Sequence, residues 1–265
     1  MPRQLWLRGK YLIRQAACQA DLIAAQSLRA QAFRSANDDG LDCDIFDERC
    51  LHFLVIEAAT GTLVCCFRLL PLQDGREISS SYSAQYYELT ALESYPHRMA
   101  ELGRFCIRPG YGDPDIIRVA WGAMTTYVDE SGIGLLFGCS SFAGTETNDY
   151  LDTFAMLQAR HLAPPRWLPR IKAPDVFRFA ARLRRKPDVK KAMMRMPPLL
   201  RTYLLMGGWV SDHAVVDRTM NTLHVFTGLE ITAIPPARKK LLRAVAGQGS
   251  GASGGSIYEK MIGGR

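Results

Sequence analysis

A strand that runs into a glycine turn and then into a helix constrains the fold of this chain more than any other sequence feature. Residues 101–107 are predicted to form the strand, 108–112 the turn (Arg-Pro-Gly-Tyr-Gly) and 115–131 the helix. The apolar side chains of the helix recur at the spacing of one buried face. Such a turn presents backbone N–H groups and a helix N-terminus to a ligand oxygen, so we expect a ligand-binding α/β protein.

The other predicted elements alternate in the same way. Alternation of apolar and polar residues predicts strands, and apolar residues at helical spacing predict helices. The predicted strands are residues 11–16, 52–58, 63–70, 132–142, 210–213 and 223–226, and the predicted helices are 20–33, a short 83–92 and 148–160. The segment Ala59-Thr60-Gly61-Thr62 predicts a hairpin between the second and third strands. We therefore expect a mixed central sheet flanked by helices.

Composition places the chain among ordinary globular proteins. It has 265 residues, 48% hydrophobic and 22% charged, which excludes disorder and coiled coil as the main class. We expect one domain over residues 1–246 and a flexible Gly/Ser-rich tail over 247–265. No run of about 18 uncharged apolar residues occurs, and the N-terminus lacks an apolar stretch of secretory length. We therefore expect a cytoplasmic protein, either free or peripheral on the inner face of the cytoplasmic membrane.

Positive charge is concentrated in one segment. Residues 160–201, called here the basic segment, hold 13 Lys+Arg and 2 Asp+Glu, whereas residues 1–159 hold 13 and 20. Within this segment, residues 175–186 are predicted to form a short amphipathic helix, a basic helical insertion before the last strands. Such a surface suits an acidic carrier protein or an anionic lipid, or it is a solvated face without a partner. Nucleic acid is not expected, because exposed aromatic residues are not interleaved with the charges.

Cysteine and histidine patterns argue against metal and disulfide chemistry. The seven cysteines include no CxxC pair and the five histidines are scattered, which predicts a reduced protein without a metal site. Cys106 or Cys139 is a candidate acyl-accepting nucleophile, but burial of both thiols in strands is the simpler interpretation.

Four clusters of residues occur together along the chain. Arg29 and Phe33 lie on the first predicted helix, and an acidic loop with Asp42, Asp44 and Asp47 follows. Next come Arg68-Leu69-Leu70-Pro71 and Glu101-Leu102-Gly103-Arg104. In these clusters the chain resembles acyl-homoserine-lactone autoinducer synthases and the bacterial ornithine N-acyltransferases, two families built on a GNAT fold. The stretch Gly138-Cys139-Ser140-Ser141-Phe142-Ala143-Gly144-Thr145 is similar to the ornithine enzymes specifically.

The resemblance implies an N-acyltransferase of ornithine lipid synthesis. It implies a donor that is the phosphopantetheine thioester of acyl carrier protein, a 3-hydroxy fatty acyl group, the α-amine of ornithine as acceptor and no further cofactor. Autoinducer synthesis remains open, although the tryptophan usual after Phe33 in those synthases is absent. Glutamine or lysine as acceptor, and a membrane-surface module without catalytic activity, also remain open.

The chemistry of thioester aminolysis suggests roles for the clustered residues. Glu101 is the candidate proton acceptor, with an ion pair to Arg104 as the alternative. Arg104 and Arg68 are candidates to bind the acceptor carboxylate or to clamp the acidic loop. Asp44 and Asp47 are candidates to hold the acceptor's ammonium groups; the alternatives are that they cap a helix or belong to a solvated loop. Arg29 and Phe33 complete the predicted acceptor site.

The glycine turn and the basic segment are expected to bind the acyl carrier. Arg108, Gly110 and Gly112 form a degenerate version of the R/Q-x-x-G-x-G/A pattern that holds pantetheine and pyrophosphate in GNAT enzymes, one residue short of its spacing. The ornithine enzymes often have a basic residue where this chain has Gly112. Arg182, Arg184 and Arg185 are the candidate contacts to the carrier protein in the basic segment.

Overall fold

The computed structural model describes residues 4–33 and 40–234. Its strands are β1 (Gln4–Arg8), β2 (Tyr11–Gln15), β3 (Leu51–Glu57), β4 (Leu63–Leu72), β5 (Tyr87–Glu88), β6 (Met99–Ile107), β7 (Leu135–Ala143), β8 (Arg170–Ile171), β9 (Val176–Phe177), β10 (Trp209–Val210), β11 (Ala214–Asp217) and β12 (Thr222–Glu230). Its helices are α1 (Gln19–Phe33), α2 (Pro114–Glu130), α3 (Leu151–Arg160), α4 (Phe179–Arg182), α5 (Val189–Arg195) and α6 (Pro198–Leu205).

Most strands join one mixed sheet, as predicted. Its order is β1-β2-β3-β4-β6-β7-β12-β11-β9, with β10 also paired to β12, while β5 and β8 form a separate ribbon. Neighbours in the large sheet are antiparallel except for β6 and β7, which are parallel. This parallel pairing covers only Met99–Glu101 against Leu135–Phe137, although both strands continue for six more residues. The two strands therefore separate after Glu101 and open a cleft in the middle of the sheet.

Helices cover both faces of the sheet because successive side chains of a strand point to opposite faces. Leu54, Cys66 and Cys106 pack in one core cluster with Ala25 and Leu28 of α1. The alternate positions, among them Phe53, Val55, Cys65 and Phe67, pack with Ile116, Val119 and Ala120 of α2. Helix α2 begins as the sequence suggests, with Pro114 in its first turn and Asp113 accepting a hydrogen bond from the Asp115 N–H.

A glycine stands where β6 and β7 separate. A Cβ atom at Gly138 would lie 2.3 Å from the carbonyl oxygen of Leu102. No side chain fits at that distance, so the close approach of the two backbones requires glycine at this position. Just beyond this contact the strands part, which makes Gly138 the inner corner of the cleft.

Several predicted elements need correction. Residues 83–92 form short 3-10 turns and β5 instead of a helix, because Tyr87 is drawn into the core and pairs with Ile171. Residues 175–186 form β9 and the four-residue α4, because Phe177 pairs with Ala214 of β11. Strands β1 and β11 were not expected. The predicted tail, residues 247–265, lies outside the described residues.

Within residues 4–33 and 40–234, no helix combines the length and apolar character that crossing a membrane requires.

Candidate active site

The cleft between β6 and β7 encloses a cavity of about 1110 Å³. Residues Leu102–Phe105 of β6 form one wall, and β7, with the turn between β11 and β12, forms the other. Leu199, Leu200 and Tyr203 of α6 contribute apolar side chains to the lining, as does Phe33 at the end of α1. This arrangement provides space for an extended chain between the two halves of the sheet.

Arg104 occupies a bulge of β6 at the cavity wall. The register between β4 and β6 shifts there, and Arg104 has a φ of 51°, a left-handed conformation that is rare for a side chain other than glycine. Its guanidinium lies 5.2 Å from the ring centroid of Tyr82 and donates a 3.0 Å hydrogen bond to Asp44 Oδ2. Its Nε is 3.2 Å from Asp42 Oδ1. The bulge therefore turns a cation toward the cleft.

The acidic loop is held by arginines. Arg29 donates to Asp42 Oδ1 at 2.9 Å and to Asp47 Oδ1 at 2.8 Å. Arg68 donates to both oxygens of Asp44, at 2.6 and 2.8 Å, and to Asp47 Oδ1 at 2.5 Å. We call Arg29, Arg68, Arg104, Asp42, Asp44 and Asp47 the arginine–aspartate network. Of the two roles considered for Arg68 and Arg104, clamping the acidic loop is the one seen in this structure.

The network changes the interpretation of Asp47 and Arg29. Both side chains are almost fully buried, and Asp47 accepts hydrogen bonds on both oxygens, including one of 2.9 Å from Gln26. Burial alone would raise the pKa of Asp47, but the hydrogen bonds from Arg29 and Gln26 hold it well below its usual range. Asp47 and Arg29 thus support the loop from behind the cavity and do not line it. Asp44, with a side chain 19% exposed, lies nearer the surface.

Glu101 lies one layer behind the cavity lining. Its carboxylate accepts hydrogen bonds from the N–H groups of Tyr82 and Ser83, at 2.8 and 2.7 Å, and from the Ser83 hydroxyl at 2.6 Å. The expected alternative, an ion pair with Arg104, is not formed, because Arg104 turns to the aspartates instead. Burial raises the pKa of Glu101 above its usual value, although the Ser83 hydrogen bonds oppose this. Such a carboxyl group accepts a proton near neutral pH more readily than a surface one.

The candidate cysteines lack the surroundings of a nucleophile. Cys106 is buried with its sulfur 3.5 Å from that of Cys66, and this contact and burial raise its pKa well above the usual value. Cys139 lines the cavity, and burial raises its pKa to about 12. Because the thiolate is the reactive form, neither residue is activated for acyl transfer.

The predicted carrier-binding residues lie outside the cavity lining. Arg108 donates to the Leu63 carbonyl at 2.7 Å and to Gln31 Oε1 at 3.0 Å. Gly110 has a φ of 86°, and a Cβ atom added at Gly110 or at Gly112 would meet no atom within 4 Å. Arg182 is exposed, Arg184 donates to the Leu183 carbonyl at 3.0 Å and Arg185 pairs with Asp152 at 2.7 Å. Their contacts to a carrier stay predictions.

Sequence reasoning missed Asp217 and His224. Both line the cavity on the wall formed by β11 and β12. No motif marks them, and only the pairing of β12 with β7 and of β11 with β12 brings them to the cavity wall opposite Arg104.

Comparison with known proteins finds acyltransferases, both as a matching domain family and as similar full-length proteins. Residues 27–122 match the family model described as an acetyltransferase (GNAT) domain. The L-ornithine N(alpha)-acyltransferase of Rhodobacter capsulatus is 31% identical over 254 residues, which cover 90% of this chain and 97% of that protein. The protein of the same name from Brucella abortus is 30% identical over 247 residues, which cover 85% of this chain and 86% of that protein.

Solved structures with a similar chain path include an N-acyl amino acid synthase from uncultured soil microbes. It has a TM-score of 0.46 at 13% identity and covers 88% of this chain and 93% of its own. The acyl-homoserine-lactone synthase LasI has a TM-score of 0.41 at 14% identity and covers 92% of this chain and 97% of its own.

Proposed function

Since the chain belongs to the L-ornithine N(alpha)-acyltransferase family, we propose that it transfers a fatty acyl group from acyl carrier protein to the α-amine of L-ornithine. The observation that carries this proposal is the cleft between β6 and β7, with Arg104 on its wall and a cavity of about 1110 Å³ inside. A cavity of this volume has room for a carrier's pantetheine arm and an amino acid together.

Arg104 is the proposed anchor of the acceptor's carboxylate. It lines the cavity, and its side chain is 15% exposed. A guanidinium binds a carboxylate through paired N–H donors. The contacts to Asp42 and Asp44 hold the guanidinium in place for this purpose.

Aminolysis then proceeds by addition and elimination. The neutral α-amine attacks the thioester carbonyl carbon, a C–N bond forms and the carbonyl oxygen becomes an oxyanion. Beyond Glu101, β6 has no ladder pairing with β7, so its free N–H groups are the proposed donors to that oxyanion. When the carbonyl re-forms, the C–S bond breaks and the carrier's thiolate leaves.

Glu101 is the proposed acceptor of the amine's proton. Because it does not line the cavity, the proton is passed through the Ser83 hydroxyl, which donates to Glu101 Oε1. That hydroxyl is buried behind the lining and lies 3.4 Å from the Sγ of Cys139, which lines the cavity. The raised pKa of Glu101 supports this role.

The basic segment is the proposed docking surface for the carrier. Acyl carrier proteins are acidic, and opposite charges steer association. An anionic membrane is the second candidate, favoured by Met194, which is 74% exposed on α5 beside Lys190, Lys191 and Arg195.

A donor comparison tests the proposal. Purified protein and ornithine are mixed with 3-hydroxyacyl carrier protein, or with the corresponding acyl-coenzyme A, and Nα-acylornithine is quantified by mass spectrometry. We expect the carrier thioester to give the higher kcat/KM, with a rate that falls as salt is added. Equal rates with both donors and no salt effect would refute the carrier assignment.

A further inference from the structure

Asp217 is the one carboxylate among the described residues that line the cavity. It is the last residue of β11, and it pairs with Thr222 of β12, two positions from the pair of Val215 with His224. Since alternate residues of a strand share a face, Asp217, Thr222 and His224 lie on the same face of the sheet. His224 in turn pairs with Ser141 of β7, so these side chains form the wall opposite Arg104.

The carboxylate of Asp217 is buried, and no cationic side chain among the described residues pairs with it. The residue is 7% exposed, and its Oδ1 accepts a 2.9 Å hydrogen bond from the Met220 N–H. Its Oδ2 has no hydrogen bond, and neither oxygen has an ion-pair partner within residues 4–33 and 40–234. A buried carboxylate without a counter-ion is costly. Its position in a cavity indicates that a ligand supplies the missing positive charge.

His224 offers a second acceptor beside it. The Tyr87 hydroxyl donates to the His224 carbonyl at 2.8 Å and lies 3.1 Å from Nδ1. The hydroxyl proton is used by the carbonyl, so Nδ1 carries a hydrogen and donates to the hydroxyl oxygen, and Nε2 keeps its lone pair. Nε2 is buried and has no partner in the described part of the chain. Burial lowers the pKa of His224 to about 4, so the ring is neutral at neutral pH.

We propose that Asp217, with His224 beside it, binds the side-chain ammonium of the acceptor and selects a diamino acid over neutral amino acids. This rests on the proposed function. An ammonium brings three N–H donors and one positive charge, which match an unpaired carboxylate oxygen and an unpaired imidazole nitrogen. The acceptor then lies across the cleft, its carboxylate at Arg104 and its side-chain ammonium at Asp217, which reassigns the ammonium site from Asp44 and Asp47.

The test compares ornithine with norvaline, the same carbon chain without the side-chain amine. Asp217→Asn keeps an oxygen for the Met220 N–H and removes only the charge. We expect kcat/KM for ornithine to fall at least about 30-fold, mainly through KM, while norvaline changes less than about threefold. The matched control is Asp149→Asn, which removes an exposed carboxylate outside the cavity lining and the basic segment and should change neither acceptor.

Calorimetric titration of ornithine and norvaline into both proteins gives a reading independent of turnover. Ornithine should bind the variant at least about tenfold more weakly than the parent protein. Equal losses for ornithine and norvaline, or unchanged binding of ornithine, would overturn the assignment of Asp217. A parent protein that does not acylate ornithine would instead refute the proposed function, so the two outcomes are distinguishable.

Discussion

Arg104 has a strained backbone conformation that places its guanidinium at the wall of the cleft. A left-handed conformation costs a residue with a side chain about 1–2 kcal/mol, and Arg104 adopts it with a φ of 51°. Tyr82, Asp42 and Asp44 contact its guanidinium and over-determine this conformation. An extended strand would have directed the side chain elsewhere, so the strain is the cost of presenting a cation to the cavity.

Glu101→Gln tests the proton acceptor. We expect kcat to fall about 10²–10⁴-fold, because the amide cannot accept the proton. A carboxyl group with a raised pKa makes kcat rise with pH as it ionises, so the acidic limb of the parent's pH–rate profile should disappear in the variant. Initial rates measured at saturating substrate over a series of pH values give kcat at each pH for the parent and the variant.

The control is Glu93→Gln, an exposed position at which activity should not change. A Glu101→Gln protein with full activity, or one with the parent's acidic limb, would contradict the assignment. The glutamine side chain also has an NH₂ donor, which can be placed against the Tyr82 N–H that donates to Glu101 in the parent. Thermal unfolding must therefore show that the variant is folded before its rate is interpreted.

Asp47→Asn tests the arginine–aspartate network. Asp47→Asn removes one carboxylate from a buried ion-pair network and leaves Arg29 with Asp42 and Arg68 with Asp44, so we expect a loss of about 3 kcal/mol in the free energy of unfolding at neutral pH. The pKa of Asp47 is lowered in the folded state, so its stabilisation is complete above the unfolded value of about 4 and is lost as the pH falls below it.

Denaturant unfolding from pH 7 to pH 3 measures both effects. The parent should lose stability steeply below about pH 4, and Asp47→Asn should show a shallower decline from a lower starting value. Asp21→Asn is the matched control, because its partner Arg14 lies in a more exposed pair. Parallel pH curves for parent and Asp47→Asn would contradict the network's role.

The sequence motifs identified seven members of the cleft region but not the pairing among them: Arg29, Phe33, Asp44, Asp47, Arg68, Glu101 and Arg104. Which aspartate pairs with which arginine depends on the bulge at Arg104 and on the path of the acidic loop, and neither has a local sequence signal. Asp217 and His224 were missed for the same reason, since their function depends on strands that are distant in the chain.

At the scale of elements, the separation of β6 from β7 is the decisive feature, and Gly138 tests it. In Gly138→Ala, the added Cβ meets the Leu102 carbonyl at 2.3 Å, so we expect a loss of about 2–3 kcal/mol in unfolding free energy. Gly112→Ala is the control, because a Cβ there meets open space and stability should change by less than about 0.5 kcal/mol. Equal stability of the two variants would contradict the close contact.

The basic segment permits a test of carrier docking. Arg182→Glu combined with Lys186→Glu reverses two exposed charges, and we expect KM for acyl carrier protein to rise while KM for ornithine stays unchanged. The control is Arg76→Glu combined with Arg98→Glu, which reverses the charge of two exposed cations elsewhere on the surface and should leave both KM values unchanged. If only liposome binding weakens and the carrier KM is unaffected, the segment binds anionic membrane instead.

Elements with strong local periodicity were predicted well, and those fixed by distant pairing were not. Helices α1 and α2 and the hairpin of β3 and β4 agree with the sequence within a few residues. The basic segment did not form the expected helix over residues 175–186, because β11 draws Val176 and Phe177 into the sheet. Strand pairing of this kind overrides helical spacing over so short a stretch.

At the scale of the whole molecule, the two halves of the sheet contribute different walls of one site. Residues 27–122, which match the acetyltransferase domain model, supply Arg68 and Arg104 to the lining and Glu101 behind it. The later strands supply Asp217 and His224, and α6 adds apolar side chains. The charges of the cleft are therefore opposite at its two walls, which suits an acceptor with a carboxylate at one end and an ammonium at the other.

The most direct measurement is the mass of the product formed in a competition mixture. Purified protein is incubated with 3-hydroxyacyl carrier protein and equal amounts of ornithine, lysine, glutamine and S-adenosylmethionine. The cleft with Arg104 and Asp217 on opposite walls predicts Nα-acylornithine as the dominant product. An acyl-homoserine lactone, an acylglutamine as the main product, or no acylated amino acid at all would contradict the account.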